Sequence, residues 1–119
     1  MLWRDTLCRV ILAAEPDYPG FCRVIWNAHV KEMTDLDSAQ RDHFMHVVFS
    51  VEQALRACLA ADKINLGNLT PHLHWHVIPR FRDDRHFPNP VWGSPMRDVP
   101  KPETQDVAAP LREALSRLL

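Results

Sequence analysis

Little in this chain pulls it toward a charged surface. Its 14 Lys and Arg face 15 Asp and Glu, a formal net charge of −1, so no overall field draws it to nucleic acid polymers or anionic membranes. Any anionic ligand must be held by a local site. Long apolar runs are missing too: none approaches the roughly 20 residues that span a bilayer. The opening Met1-Leu2-Trp3-Arg4-Asp5 carries charge where a secretion signal needs an apolar run. Cys8, Cys22 and Cys58 are odd in number and lack C-x-x-C spacing, which argues against a disulfide framework and fits thiols kept reduced. Internal repeats and low-complexity tracts are absent. A cytoplasmic protein with neither membrane nor nucleic acid polymer as partner is expected.

What is present suits a folded domain. Hydrophobic residues make up 46% and charged residues 24%, the balance of a globular chain rather than a disordered one. The 119 residues suffice for one core and are too few for two of ordinary size, so one domain over 1–119 is expected.

Leu7 to Ala14 and Phe21 to Trp26 read as two strands, joined through Glu15-Pro16-Asp17-Tyr18-Pro19-Gly20, whose prolines and glycine enforce a turn. Asp37 is a candidate N-cap with Gln40 in capping-box spacing. From there Phe44, Val48, Val51, Leu55 and Cys58 recur every three or four residues, one apolar stripe of a helix running to about Ala60. His43 and His46 fall in that helix with no partner spacing and read as boundary residues. Asp62 to Leu66 and His72 to Arg80 predict two further strands around a turn at Gly67-Asn68. Arg82 to Pro102 is dense in proline and charge and reads as irregular. Val107 to Leu119 is periodic as a helix, provided Pro110 lies in its first turn. This order predicts an α+β fold with an antiparallel sheet.

The chemistry concentrates in His72-Leu73-His74-Trp75-His76-Val77-Ile78. Alternation along a strand puts His72, His74 and His76 on one face and Leu73, Trp75 and Val77 on the other, which docks on the helix. A metal is one reading of such a row. Residues i and i+4 on a strand stand about 13 Å apart and metal–nitrogen bonds are about 2.0–2.1 Å, so three histidines of a straight strand hardly converge on one ion, and no H-E-x-x-H or cysteine pair offers further ligands. A buried, hydrogen-bonded histidine run is the bland reading. An extended phosphoryl group suits the row better: the middle imidazole attacks phosphorus while the outer two donate to neighbouring oxygens. An ordinary imidazole, pKa about 6.5, is largely neutral and nucleophilic at physiological pH.

Lesser candidates surround this row. Arg80 and Arg82 could attract phosphate but read more readily as a solvated edge. Trp75 reads as core. Alternation groups Phe21 with Arg23 and Ile25, and Cys22 with Val24 and Trp26, and either set could wall a nucleobase pocket. Trp92 reads as a surface or interface residue, and His29 and His86 as loop residues away from the chemistry.

The seven residues His72 to Ile78 resemble the signature of the histidine triad (HIT) superfamily of nucleotide hydrolases and transferases. The opening strands, the helix, Lys63-Ile64-Asn65, Gly67-Asn68 and Phe87-Pro88-Asn89-Pro90-Val91-Trp92-Gly93 are also similar to short bacterial HIT proteins, so the likeness spans roughly residues 7 to 93. The resemblance implies a HIT-like α+β fold, an antiparallel sheet of about five strands against one long helix, plus a C-terminal helix. It implies that His74 is the nucleophile, forming a nucleotidyl-histidine on an α-phosphate, and that His72 and His76 bind phosphate oxygens and assist the leaving group. Asn65, Asn68 and, in the ribose region, Glu15 are the implied substrate contacts. Glu15 stands there because Ala13-Ala14-Glu15 occupies the place where similar proteins carry Asn-Asp. Histidine rather than glutamine at position 76 points to a hydrolase over a nucleotidyltransferase. No catalytic metal or other cofactor is implied, and a homodimer is. The implied substrate is a dinucleoside polyphosphate or a nucleoside phosphoramidate; a nucleotide-binding or sensing module with negligible turnover is the alternative.

Overall fold

The computed structural model describes residues 1–102 and 106–119. Five strands form one antiparallel sheet in the order β1-β2-β3-β5-β4: β1 (Trp3–Arg4), β2 (Cys8–Leu12), β3 (Cys22–Trp26), β4 (Lys63–Gly67) and β5 (His74–Arg80). A long helix, α1 (Ser38–Cys58), and a C-terminal helix, α2 (Ala108–Leu118), complete the α+β fold. The expected strands and helices are all found, one or two residues shorter at most ends, while β4 runs one residue further, to Gly67. The edge strand β1 was not foreseen, since two residues carry no period.

Helix α1 starts where its capping chemistry puts it. The Asp37 carboxylate accepts from the Gln40 N–H at 2.8 Å, and the Gln40 side chain accepts from the Asp37 N–H at 3.0 Å, so two otherwise orphaned donors are satisfied. Phe44, Val48, Val51 and Leu55 are fully buried as the stripe predicted, joined by Val47 and Ala54. They pack on the face of the sheet that carries Cys8, Val10, Cys22, Val24, Trp26, Leu73 and Val77. Leu111, Ala114 and Leu115 of α2 extend the same core, with Pro110 in the first turn of that helix. Trp26 is thereby a core residue, its ring 5.3 Å from that of Phe44. Among the described residues no helix is long and apolar enough to cross a membrane.

Burial shapes the polar groups of this core. Cys8 and Cys22 are wholly buried, and loss of solvation pushes both thiols up to about 12. Next to Cys8, the Asp5 carboxylate accepts the N–H groups of Leu7 and Cys8 at 2.8 Å each and pairs with His43 Nε2 at 2.6 Å. Burial tends to raise its pKa, but these bonds outweigh that and hold it below the ordinary value. His43 is therefore a boundary residue with a specific partner.

The chain beyond β5 is fastened by Arg80, which is 1% exposed. Its Nε and Nη2 donate to both Asp84 oxygens at 2.9 and 3.0 Å, Nη1 donates to Asn65 Oδ1 at 2.8 Å and Nη2 to the Asn89 carbonyl at 2.7 Å. The rings of Tyr18 and Phe87 lie 5.7 Å from its guanidinium carbon. Arg80 is thus an internal fastener, neither the solvated edge residue expected of it nor free to attract phosphate. Arg82 is the exposed one.

Candidate active site

The face of the sheet opposite the helices carries the histidines. Strand register puts His74 across from Ile25 and His76 across from Arg23 on β3, and Gly67 across from His76 on β4. The set Phe21, Arg23, Ile25 is therefore the one beside the histidines, and Trp26 is the one that is not.

The regular strand begins at His74, so His72 leaves the straight alternation expected of it. Pro71 supplies no N–H, and the backbone of Leu73 is engaged elsewhere: its N–H donates to Val30 O at 2.9 Å and its carbonyl accepts from Trp26 N at 3.1 Å. The His72 ring turns onto the end of β3, with Nε2 2.9 Å from the Trp26 carbonyl. A carbonyl only accepts, so Nε2 carries the proton and Nδ1 the lone pair. His29 Nδ1 lies 3.2 Å from that lone pair and the two rings are 5.3 Å apart. His29, expected to stay away, is the hydrogen-bonded neighbour of the first histidine.

His74 is oriented by the same bend. Its Nδ1 is 3.1 Å from the His72 carbonyl and 3.1 Å from Thr70 Oγ1, which itself donates to that carbonyl at 3.3 Å. Nδ1 is therefore the donor and Nε2 keeps a free lone pair, the form a nucleophilic imidazole requires. Thr70 had no signal in the sequence beyond standing one residue before a proline.

His76 is only 5% exposed. The Trp92 ring meets it edge-on at 4.9 Å and the Phe21 ring lies 6.4 Å away. Burial lowers its pKa first, and the electrostatic influence of His74 and Arg23 adds to the effect, so the neutral ring is favoured. A Cβ on Gly67 would stand 2.8 Å from His76 Cε1 and closer still to Nε2; only glycine leaves the ring its place. Trp92, read from sequence as a surface or interface residue, is 55% exposed as expected and, beyond that reading, also forms a wall of the site.

A cleft of about 500 Å³ opens in front of His76, lined by Asn65, Gly67, Asn68, Leu69 and Trp92 among others. Asn68 and Asn65 both border it, but the Asn65 carbonyl oxygen is taken by Arg80, so only its amide nitrogen can address a ligand. Glu15 lies exposed in the turn after β2, and among the described residues its carboxylate has no hydrogen bond. Asp5, Cys8 and His43 place one ligand atom each within 4.8 Å of one another, on the helix-covered side of the sheet and apart from the histidine row.

Comparison with known proteins gives a consistent picture. The HIT domain model matches residues 1–83. The asymmetrical bis(5'-nucleosyl)-tetraphosphatase of Schizosaccharomyces pombe is 26% identical over 92 residues, 71% of this chain, and the chain spans about half the length of that relative. A histidine triad protein from Bradyrhizobium japonicum is 29% identical with a TM-score of 0.76, covering 98% of this chain and 87% of its own. A zinc-bound histidine triad family protein from Mycobacterium smegmatis is 25% identical with a TM-score of 0.70, covering 98% and 84%.

Proposed function

Because this chain belongs to the HIT domain family, we propose that it is a nucleotide hydrolase cleaving a nucleoside phosphate derivative through a nucleotidyl-histidine on His74. One observation carries the reading: His74 Nδ1 is committed to the His72 carbonyl and Thr70, which leaves Nε2 as a lone pair on the open face of the sheet. In the first step Nε2 bonds to the α-phosphorus as the bond to the leaving group breaks; a polyphosphate departs as its anion, and an amine leaving group takes its proton from water. Water then displaces the imidazole, and the nucleoside monophosphate departs. Splitting the displacement in two lowers each barrier. Neutral His76 has an N–H to offer an oxygen on the phosphorus or the leaving group. His72 steadies the other side through the carbonyl it presents to His74. Asn68 and the amide of Asn65 are the proposed substrate donors from the cleft, with Glu15 the proposed contact in the ribose region.

The reading treats residues 1–119 as one HIT domain and includes a homodimeric assembly, a cytoplasmic location and turnover without resident metal or other cofactor. Its test is a single-turnover reaction with a diadenosine polyphosphate labelled at the α-phosphate, quenched and analysed for label on His74. A His74→Gly variant should lose at least about 10³-fold in turnover, while AMP affinity stays within a few fold. Saturable binding with no covalent adduct in the native chain would replace the hydrolase with a nucleotide-binding module.

A further inference from the structure

The open face holds more positive charge than the histidines. Arg23 of β3 stands directly opposite His76 of β5, which places the two Cβ atoms about 4.5–5.5 Å apart. Its guanidinium carbon lies 5.5 Å from the Phe21 ring centroid. Among the described residues it has neither a carboxylate partner nor a side-chain hydrogen bond. Register continues the row: Ile11 faces Arg23, Arg9 is two residues along β2 on the same face, and Arg4 of β1 is directly opposite Arg9. Arg9 donates to Asn27 Oδ1 at 2.7 Å, a neutral partner. Strand positions on this face carry no Asp or Glu, and Asp5, which lines the same hollow as Arg4 and Arg9, is held by His43 and two backbone amides. A net charge near zero thus conceals an uncompensated cationic row, about 14 Å across three strand spacings, that begins at the third histidine. A partly desolvated guanidinium without a counter-charge is costly, and its planar fork suits phosphate oxygens.

We propose that Arg23, continued by Arg9 and Arg4, is an anion-binding subsite for the polyphosphate part of the substrate. The inference rests on the hydrolase reading and selects within it: a dinucleoside polyphosphate has extra phosphates to occupy the row, whereas a nucleoside phosphoramidate has a single phosphorus, which the histidines already engage. Arg23 is a specificity-determining residue and takes no part in bond breaking.

Calorimetric titration with inorganic tripolyphosphate at low salt tests the subsite without any turnover. The native chain should bind it, increasingly weakly as salt is added, and Arg23→Gln should weaken binding about 10- to 100-fold, the range for a lost charge-assisted hydrogen bond. In turnover, Arg23→Gln should raise KM for diadenosine tetraphosphate by a similar factor and leave kcat/KM for adenosine 5'-phosphoramidate within about threefold. Should Arg23→Gln fail to fold, Arg9→Gln takes its place with a loss of several fold on tripolyphosphate alone. Absence of tripolyphosphate binding in the native chain, or equal losses on both substrates, overturns the proposal. Arg23-dependent tripolyphosphate binding in a chain that cleaves neither substrate would refute the hydrolase and keep the subsite.

Discussion

Asp84→Ala isolates what the buried Arg80 fastener contributes. Asp84, 7% exposed at its side chain, takes two charge-assisted bonds from Arg80 and accepts the backbone N–H groups of Phe81, His86 and Phe87 at 3.0, 3.1 and 2.7 Å. Removing it strands a guanidinium that is 1% exposed, with only two neutral oxygens left to it. Breaking a buried pair from one side costs about 3–5 kcal/mol; the freed amides can turn to water and add little. Against a total stability of about 5–15 kcal/mol this is a large share, and at about 3–5 °C per kcal/mol for a chain of this size it lowers Tm by about 10–20 °C. Urea unfolding followed by tryptophan fluorescence reads the change directly, and Asp84→Asn, which keeps one acceptor and the volume, should fall between. The acid limb should change as well. Burial works to raise the Asp84 pKa, but the Arg80 and backbone bonds hold it below 3.8; its contribution is therefore complete above that value and lost as pH falls through the folded one, a loss the variant should no longer show. Because Arg80 also holds Asn89, on the segment that carries Pro88, Pro90 and Trp92 to the cleft, turnover should drop even in folded protein. A cost under about 1 kcal/mol would refute the reasoning, since it would mean that Arg80 is not in need of its counter-charge.

Three further outcomes follow from the site. Gly67→Ala should displace the His76 ring, cost about 1–3 kcal/mol as overpacking and depress turnover far more than nucleotide affinity; native-like kcat would show that the ring has room. His29→Ala should shift the His72 ring nitrogen resonances in NMR and lower kcat, with His29→Gln, which keeps an N–H donor, partly restoring both; unchanged resonances would mean that the 3.2 Å contact is not a hydrogen bond. Asp5→Asn should flatten stability in the acid range, because the native carboxylate's depressed pKa stabilises the fold above 3.8 and ceases to as pH falls through its folded value; identical acid denaturation curves would contradict this.

Where local pattern decides structure, the chain was legible. The Asp37–Gln40 box fixed the start of α1, and alternation from His74 onward correctly separated the Trp75 and Val77 face from the His74 and His76 face. Alternation even grouped Arg23 with Phe21, so the signal for the cationic row was available, although nothing said which group faced the histidines. That depended on the pairing of β3 with β5, a long-range choice. Proximity across distant segments was the other blind spot. His29 reaches His72 over 43 positions and Trp92 reaches His76 from an irregular segment, and no period connects either pair. His72 was misplaced for a local reason that could have been weighed: Pro71 beside it weakens any strand that includes it. Arg80 was misread because a charged residue at a strand end is usually solvated, whereas here Asp84, four residues on, folds back to meet it.

The burial of Cys8 and Cys22 has a chemical consequence. With thiols pushed up to about 12, very little is ionised at neutral pH, and thiolate is the species that oxidants and alkylating reagents attack. Burial and this upward shift both slow oxidation at these two positions in the folded domain. Their rate of modification becomes a clock for opening of the core, while the half-buried Cys58 reacts on its own schedule.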